Sequence, residues 1–128
     1  MVLAIKSSED IVQMRRLVRE HAIGQGFSLV DQTKIVTAAS ELARNILNYA
    51  GSGEMLIEPL ANGSKKGVKL VFSDKGPGIA DIELAMKDGY TTGGGMGLGL
   101  GGSKRLASEF QIESQVGVGT RVSLTRWK

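Results

Sequence analysis

The stretch from Asp74 to Leu100, DKGPGIADIELAMKDGYTTGGGMGLGL, holds residue types that could grip a small charged ligand. Asp74 stands between an apolar, strand-like run and the turn Lys75-Gly76-Pro77-Gly78. Glycines there could shape a flat pocket around the one carboxylate. A denser cluster, Gly93-Gly94-Gly95-Met96-Gly97-Leu98-Gly99, follows about one short helix later. Backbone N–H groups exposed at a helix start are a ready site for phosphate. Together the two clusters point to a nucleotide held at both ends, its base near Asp74 and its phosphates near Gly95 to Gly99. The chain contains no GxxxxGK[ST], so a P-loop is excluded.

A second polar set lies upstream. Glu41, Asn45 and Asn48 recur at i, i+4 and i+7. At 100° per residue this stripe lies beside the apolar stripe of the same helix, not opposite it. Such side chains sit at the edge of a core, where a cleft would open. Taken alone they serve equally well as boundary residues or as functional ones. Glu41 can also simply pair with Arg44, and Asn48 reads as a structural helix-edge residue. Thr91 and Thr92 fit plain loop positions, and Met14, Met86 and Met96 fit packing.

The elements that must position these residues follow in order. Val2 to Lys6 is a short strand, and Ser7-Ser8-Glu9-Asp10 offers helix caps. Ile11, Met14, Leu17, Val18 and Ala22 have helical spacing, which Gly24-Gln25-Gly26 ends. Arg15, Arg16, Arg19 and Glu20 lie off that stripe, as a solvated face or a docking surface. Ser28 or Asp31 starts a longer helix with Ile35, Ala38, Ala39, Leu42 and Ile46 inward. Glu54 to Leu60 and Val68 to Ser73 read as strands joined by a hairpin connection over 61–67. The second strand delivers Asp74 at its end. Ile82 to Met86 fits one or two helical turns, and Lys87 to Gly94 a mobile loop. Leu98 to Phe110 reads as helix with Leu98, Leu106 and Phe110 inward. Gln111 to Val116 and Thr120 to Arg126 form a last hairpin across Gly117-Val118-Gly119. Hairpin-joined strands beside grouped helices predict an α+β fold. The expected form is a two-layer α/β sandwich whose mixed, mostly antiparallel sheet carries its helices on one face.

Bulk properties narrow the function. The 128 residues fit one domain, residues 1–128. A net charge of +3, spread along the chain, gives no reason to expect nucleic acid. Cysteine is absent, which excludes disulfides and thiolate chemistry. The single His21 makes a histidine metal site an unfavourable reading. No apolar run is long enough to span a bilayer and no signal-peptide pattern opens the chain, so a cytoplasmic protein with no membrane partner is expected.

Four elements in fixed order carry a resemblance: Glu41-Leu42-Ala43-Arg44-Asn45, Asp74-Lys75-Gly76-Pro77-Gly78, Gly95-Met96-Gly97-Leu98-Gly99-Leu100, and Gly117-Val118-Gly119-Thr120. This order resembles the GHKL ATPase superfamily, the Bergerat fold of gyrase, Hsp90, histidine kinases and MutL. Within it, the small size and the ELARN form look like the anti-sigma-factor serine kinases, most of all the switch kinases of the stressosome. SELARNI followed by YAG, then DKGPGI, DGYTT and KRLASEF, extend the likeness from Asp10 to Trp127.

The resemblance implies an ATP-dependent serine/threonine-protein kinase acting on a STAS-domain antagonist in a partner-switching pathway. It implies ATP and Mg2+ as cofactors. Asn45 would be the magnesium ligand and Glu41 the general base. Asp74 would accept from the adenine amine, with Thr120 bracing that contact through water. Gly76, Gly78 and Ile79 would lie against the base. Gly95, Gly97, Leu98 and Gly99 would meet the phosphates. Residues Asp88 to Gly94 look like a lid, expected to be disordered without nucleotide. A PP2C-type phosphatase is a further partner that the family implies, and its members are often homodimers. The competing reading is a non-catalytic, nucleotide-gated module that sequesters a sigma factor or such a phosphatase. A histidine-kinase ATP-binding half is a third reading, weakened by the missing phosphoacceptor helix.

Overall fold

The computed structural model describes residues 1–79 and 99–128. Its elements run β1 (Val2–Ile5), α1 (Ser8–Gly24), α2 (Leu29–Tyr49), β2 (Gly53–Asn62), β3 (Lys65–Asp74), α3 (Gly99–Arg105), β4 (Glu109–Gln115) and β5 (Gly119–Trp127). The expected turns at Ile82 to Met86, the loop Lys87 to Gly94 and the lid at Asp88 to Gly94 lie outside the described residues.

Both long helices start where serine meets an amphipathic run. Ser7, with extended backbone, accepts from the Asp10 N–H, and Glu9 and Asp10 sit at the positive end of α1. Ser28 does the same for α2 through the Asp31 N–H. Ile11, Met14, Val18 and Ala22 are buried along α1, at the spacing of one helical face. Along α2 the expected Ile35, Ala38, Ala39, Leu42 and Ile46 are buried, joined by Val36, Ser40, Glu41 and Ala43. The buried face of α2 is thus wider than its apolar stripe and takes in one acid.

The five strands form one sheet in the order β1-β2-β3-β5-β4. All four pairings are antiparallel. β3 is central, and alternate residues Val68, Leu70 and Phe72 point into the core. Met55 and Ile57 of β2 and Val122 and Leu124 of β5 join them against the helices. Each such side chain contributes about 1.5–3 kcal/mol when fully buried. The helices therefore cover one face of the sheet.

Two boundaries differ from the sequence reading. The β2–β3 connection is shorter than 61–67, because pairing continues to Asn62 opposite Lys65. Only Gly63 and Ser64 turn the chain, and only Gly63 has positive φ (+64°), as a type II′ hairpin requires. The helix expected over Leu98 to Phe110 stops at Arg105. The Leu106 and Ala107 N–H groups close tight turns onto Ser103 and Lys104, and the Ser108 N–H then donates to the Thr125 carbonyl. Phe110 belongs to β4, yet still packs on the same core.

Candidate functional site

The site begins where β3 ends. Asp74 lies opposite Thr120 of β5 and Gly53 of β2. Directly opposed residues hold their Cβ atoms about 4.5–5.5 Å apart, so Asp74 and Thr120 share one patch of the helix-covered face. The Asp74 carboxylate accepts from the Gly76 N–H at 2.9 Å, which folds the chain back at once. Gly76 is required by a close approach: a Cβ there would stand 2.6 Å from the Ala50 methyl at the end of α2. Gly78 has φ +78°, and a Cβ on it would collide with the Gln115 carbonyl.

The turn after Asp74 is fastened to the β4–β5 hairpin at two points. The Gly117 N–H donates to the Pro77 carbonyl at 2.8 Å. The Ile79 N–H donates to Ser114 Oγ at 2.7 Å, and the Ile79 side chain packs on the core. Ser114 Oγ also lies 2.8 Å from Thr120 Oγ1 and 3.2 Å from the Gly119 carbonyl. A shallow, open depression at this end of the sheet is lined by Ser73, Glu113 and Arg121 as well as by Asp74, Ser114 and Thr120.

The helix edge supplies the other half. Glu41 is 5% exposed and its Oε1 accepts from Arg44 Nη1 at 2.8 Å. Asn45, one turn further on, is half-buried, whereas Asn48 is exposed. The Ile46 side chain lies over Gly53, close enough that a Cβ there would be 2.8 Å away. Ala50 abuts Gly76. The segment of α2 from Glu41 to Ala50 therefore runs toward the Asp74 turn, along the edge of the core.

Gly99 opens α3, while Gly95, Gly97 and Leu98 lie outside the described residues. α3 packs against α2, and its buried Ser103 reaches the Ala38 carbonyl at 3.4 Å. Among the described residues no group of three His, Cys, Asp or Glu side chains could hold a metal ion. Sequence reasoning did not single out Ser114. Alternation marks it as a strand residue, but only the register of β4 on β5 sets it beside Thr120.

Residues 30–128 match the family described as histidine kinase-, DNA gyrase B-, and HSP90-like ATPase. The chain belongs to this family. Membership brings ATP use with it, in keeping with the four motifs. The chain is 50% identical over 123 residues to the serine/threonine-protein kinase RsbT of Bacillus subtilis (strain 168), covering 96% of this chain and 92% of that one. Among solved structures it is similar to the mycobacterial sensor histidine kinase MprB, with TM-score 0.58, 14% identity and coverage of 99% and 96%. The catalytic domain of the histidine kinase ThkA gives TM-score 0.54, 19% identity and coverage of 98% and 95%. At those identities the two structures bear on the fold, and they share it. No helix among the described residues is long and apolar enough to cross a membrane.

Proposed function

We propose that this chain is an ATP-dependent serine/threonine-protein kinase acting as one cytoplasmic domain. The observation that carries the reading is Glu41, a carboxylate 5% exposed on the same α2 edge as Asn45. Glu41 and Asn45, the base site and the phosphate-side amide, share the rigid support of α2, and that edge leads to the Asp74–Thr120 patch at the ends of β3 and β5. The kinase named among the relatives supports the same reading. The substrate class is a STAS-domain protein in a partner-switching pathway, with a PP2C-type phosphatase as a further partner.

Asp74 would accept from the exocyclic amine of adenine, and Thr120 would stand beside that contact. Gly76 and Gly78 let the turn pass close to the base, and Ile79 offers it an apolar side. Glu41 would take the proton of the attacking serine or threonine hydroxyl. Its contact with Arg44 orients the carboxylate at the helix edge. The Asn45 amide oxygen is a hard, neutral donor, the kind magnesium takes alongside substrate phosphates. Bound there with the nucleotide, the ion would supply charge neutralisation on the phosphates. The chain's own part is positioning, which is most of what phosphoryl transfer asks of a protein.

The test mixes the protein with γ-labelled ATP, magnesium and a STAS-domain partner. Label should appear on a serine or threonine of the partner. The Glu41–Arg44 pair favours one second reading, a nucleotide-gated sequestering module, because it already engages the carboxylate. Partner release that follows ATP binding without any label transfer would establish that reading instead.

A further inference from the structure

We propose that Ser114 determines which purines the site accepts, by fixing the Thr120 hydroxyl as a hydrogen-bond acceptor. The proposal rests on the adenine reading of Asp74 and goes beyond it to a residue outside the four motifs. A serine hydroxyl has one proton and two lone pairs. Ser114 Oγ has three partners within 3.2 Å: the Ile79 N–H, the Gly119 carbonyl and Thr120 Oγ1. The amide can only donate and the carbonyl can only accept. One arrangement satisfies all three. Ser114 takes the Ile79 proton, gives its own to Gly119, and uses its second lone pair for the Thr120 proton.

Thr120 is then left with lone pairs alone to present. Its register partner across the strands is Asp74, itself an acceptor when ionised. Two neighbouring acceptors suit a 6-amino purine, directly or through a water. They reject a 6-oxo purine, whose carbonyl would face lone pairs on both sides. Without Ser114, the Thr120 hydroxyl is free to rotate and donate, and the rejection weakens. Ser114 thus acts as a positioning residue, through Thr120.

The experiment measures Kd for ATP and for inosine triphosphate by calorimetry and takes their ratio. A loss of folded protein lowers both affinities together and leaves the ratio alone, so the ratio isolates specificity from stability. Ser114→Ala should reduce the preference for ATP by about 5-fold, the worth of one ordinary hydrogen bond. Ser114→Thr keeps the hydroxyl and should restore the parental ratio. In a Thr120→Val background, Ser114→Ala should change the ratio no further. A ratio within twofold of the parent in Ser114→Ala, with the parent still preferring ATP, overturns this proposal and leaves the adenine site standing. A parent that binds neither nucleotide overturns the adenine reading itself.

Discussion

Replacing Asp74 by Asn removes the charge and keeps the shape. The internal bond from the Gly76 N–H to Oδ1 survives, since the amide oxygen can accept it in place of the carboxylate. What changes is the second position, where an acceptor becomes an NH2 donor that, in the proposed site, would face the adenine amine. A hydrogen bond to a charged group contributes about 1.5–3 kcal/mol, or roughly 10- to 150-fold in Kd. Asp74 is half-buried rather than enclosed, which places the expected loss in the lower part of that range, about 10- to 30-fold. Calorimetric titration of ADP into parent and variant measures it, with circular dichroism melts to show that the fold is retained. An Asp74→Asn protein that binds ADP within about threefold of the parent would refute the assignment of Asp74 to the base.

Two further substitutions test the framework. Arg126 ties β5 to α2 and to the turn after α3: its guanidinium donates to the Leu106 carbonyl at 2.7 Å and to Asp31 Oδ1 at 3.0 Å. Arg126→Ala should lower the free energy of unfolding by about 2 kcal/mol, seen as a lower urea midpoint; an unchanged midpoint would show that these contacts add nothing. Gly78→Ala forces a side chain into the left-handed region and against Gln115, and should cost roughly 1–2 kcal/mol from backbone strain alone. Urea unfolding checks this too, and a variant as stable as the parent would mean that the turn relaxes freely.

Much of the scaffold was legible in the residues. Both helix starts were legible as short sets of cap candidates, Ser7 to Asp10 and Ser28 or Asp31, because a cap needs one side-chain oxygen at a known offset, and the structure selects Ser7 and Ser28. The stripe Ile35-Ala38-Ala39-Leu42-Ile46 was readable because burial and helical period coincide. The end of α3 was not. Leu106 and Phe110 are four apart, as in a helix, and both do pack on the core. The chain nevertheless changes from turn to strand between them, and inward residues alone cannot distinguish those two paths. The outer parts of the β2–β3 hairpin were hidden for another reason: residues 61–66 are all exposed, so their pairing leaves no apolar trace. Within the candidate site, Asp74 stood out by its place between a strand and a glycine turn, whereas the spacing of Glu41 fitted a boundary residue equally well and only the family resemblance gave it a role. The contacts that organise their surroundings, Ser114 on Thr120 and Ile79, depend on strand register across a hairpin and on a loop folding back. Neither is encoded in local periodicity.

In the proposed mechanism Glu41 serves the chemistry and not just the architecture of α2. A general base typically contributes 10²- to 10⁴-fold. Glu41→Gln, loaded with ATP and mixed with the proposed STAS-domain substrate in a single turnover, should bind the nucleotide as the parent does and transfer phosphate at least about 100-fold more slowly. Transfer at the parental rate with equal nucleotide occupancy would contradict the account.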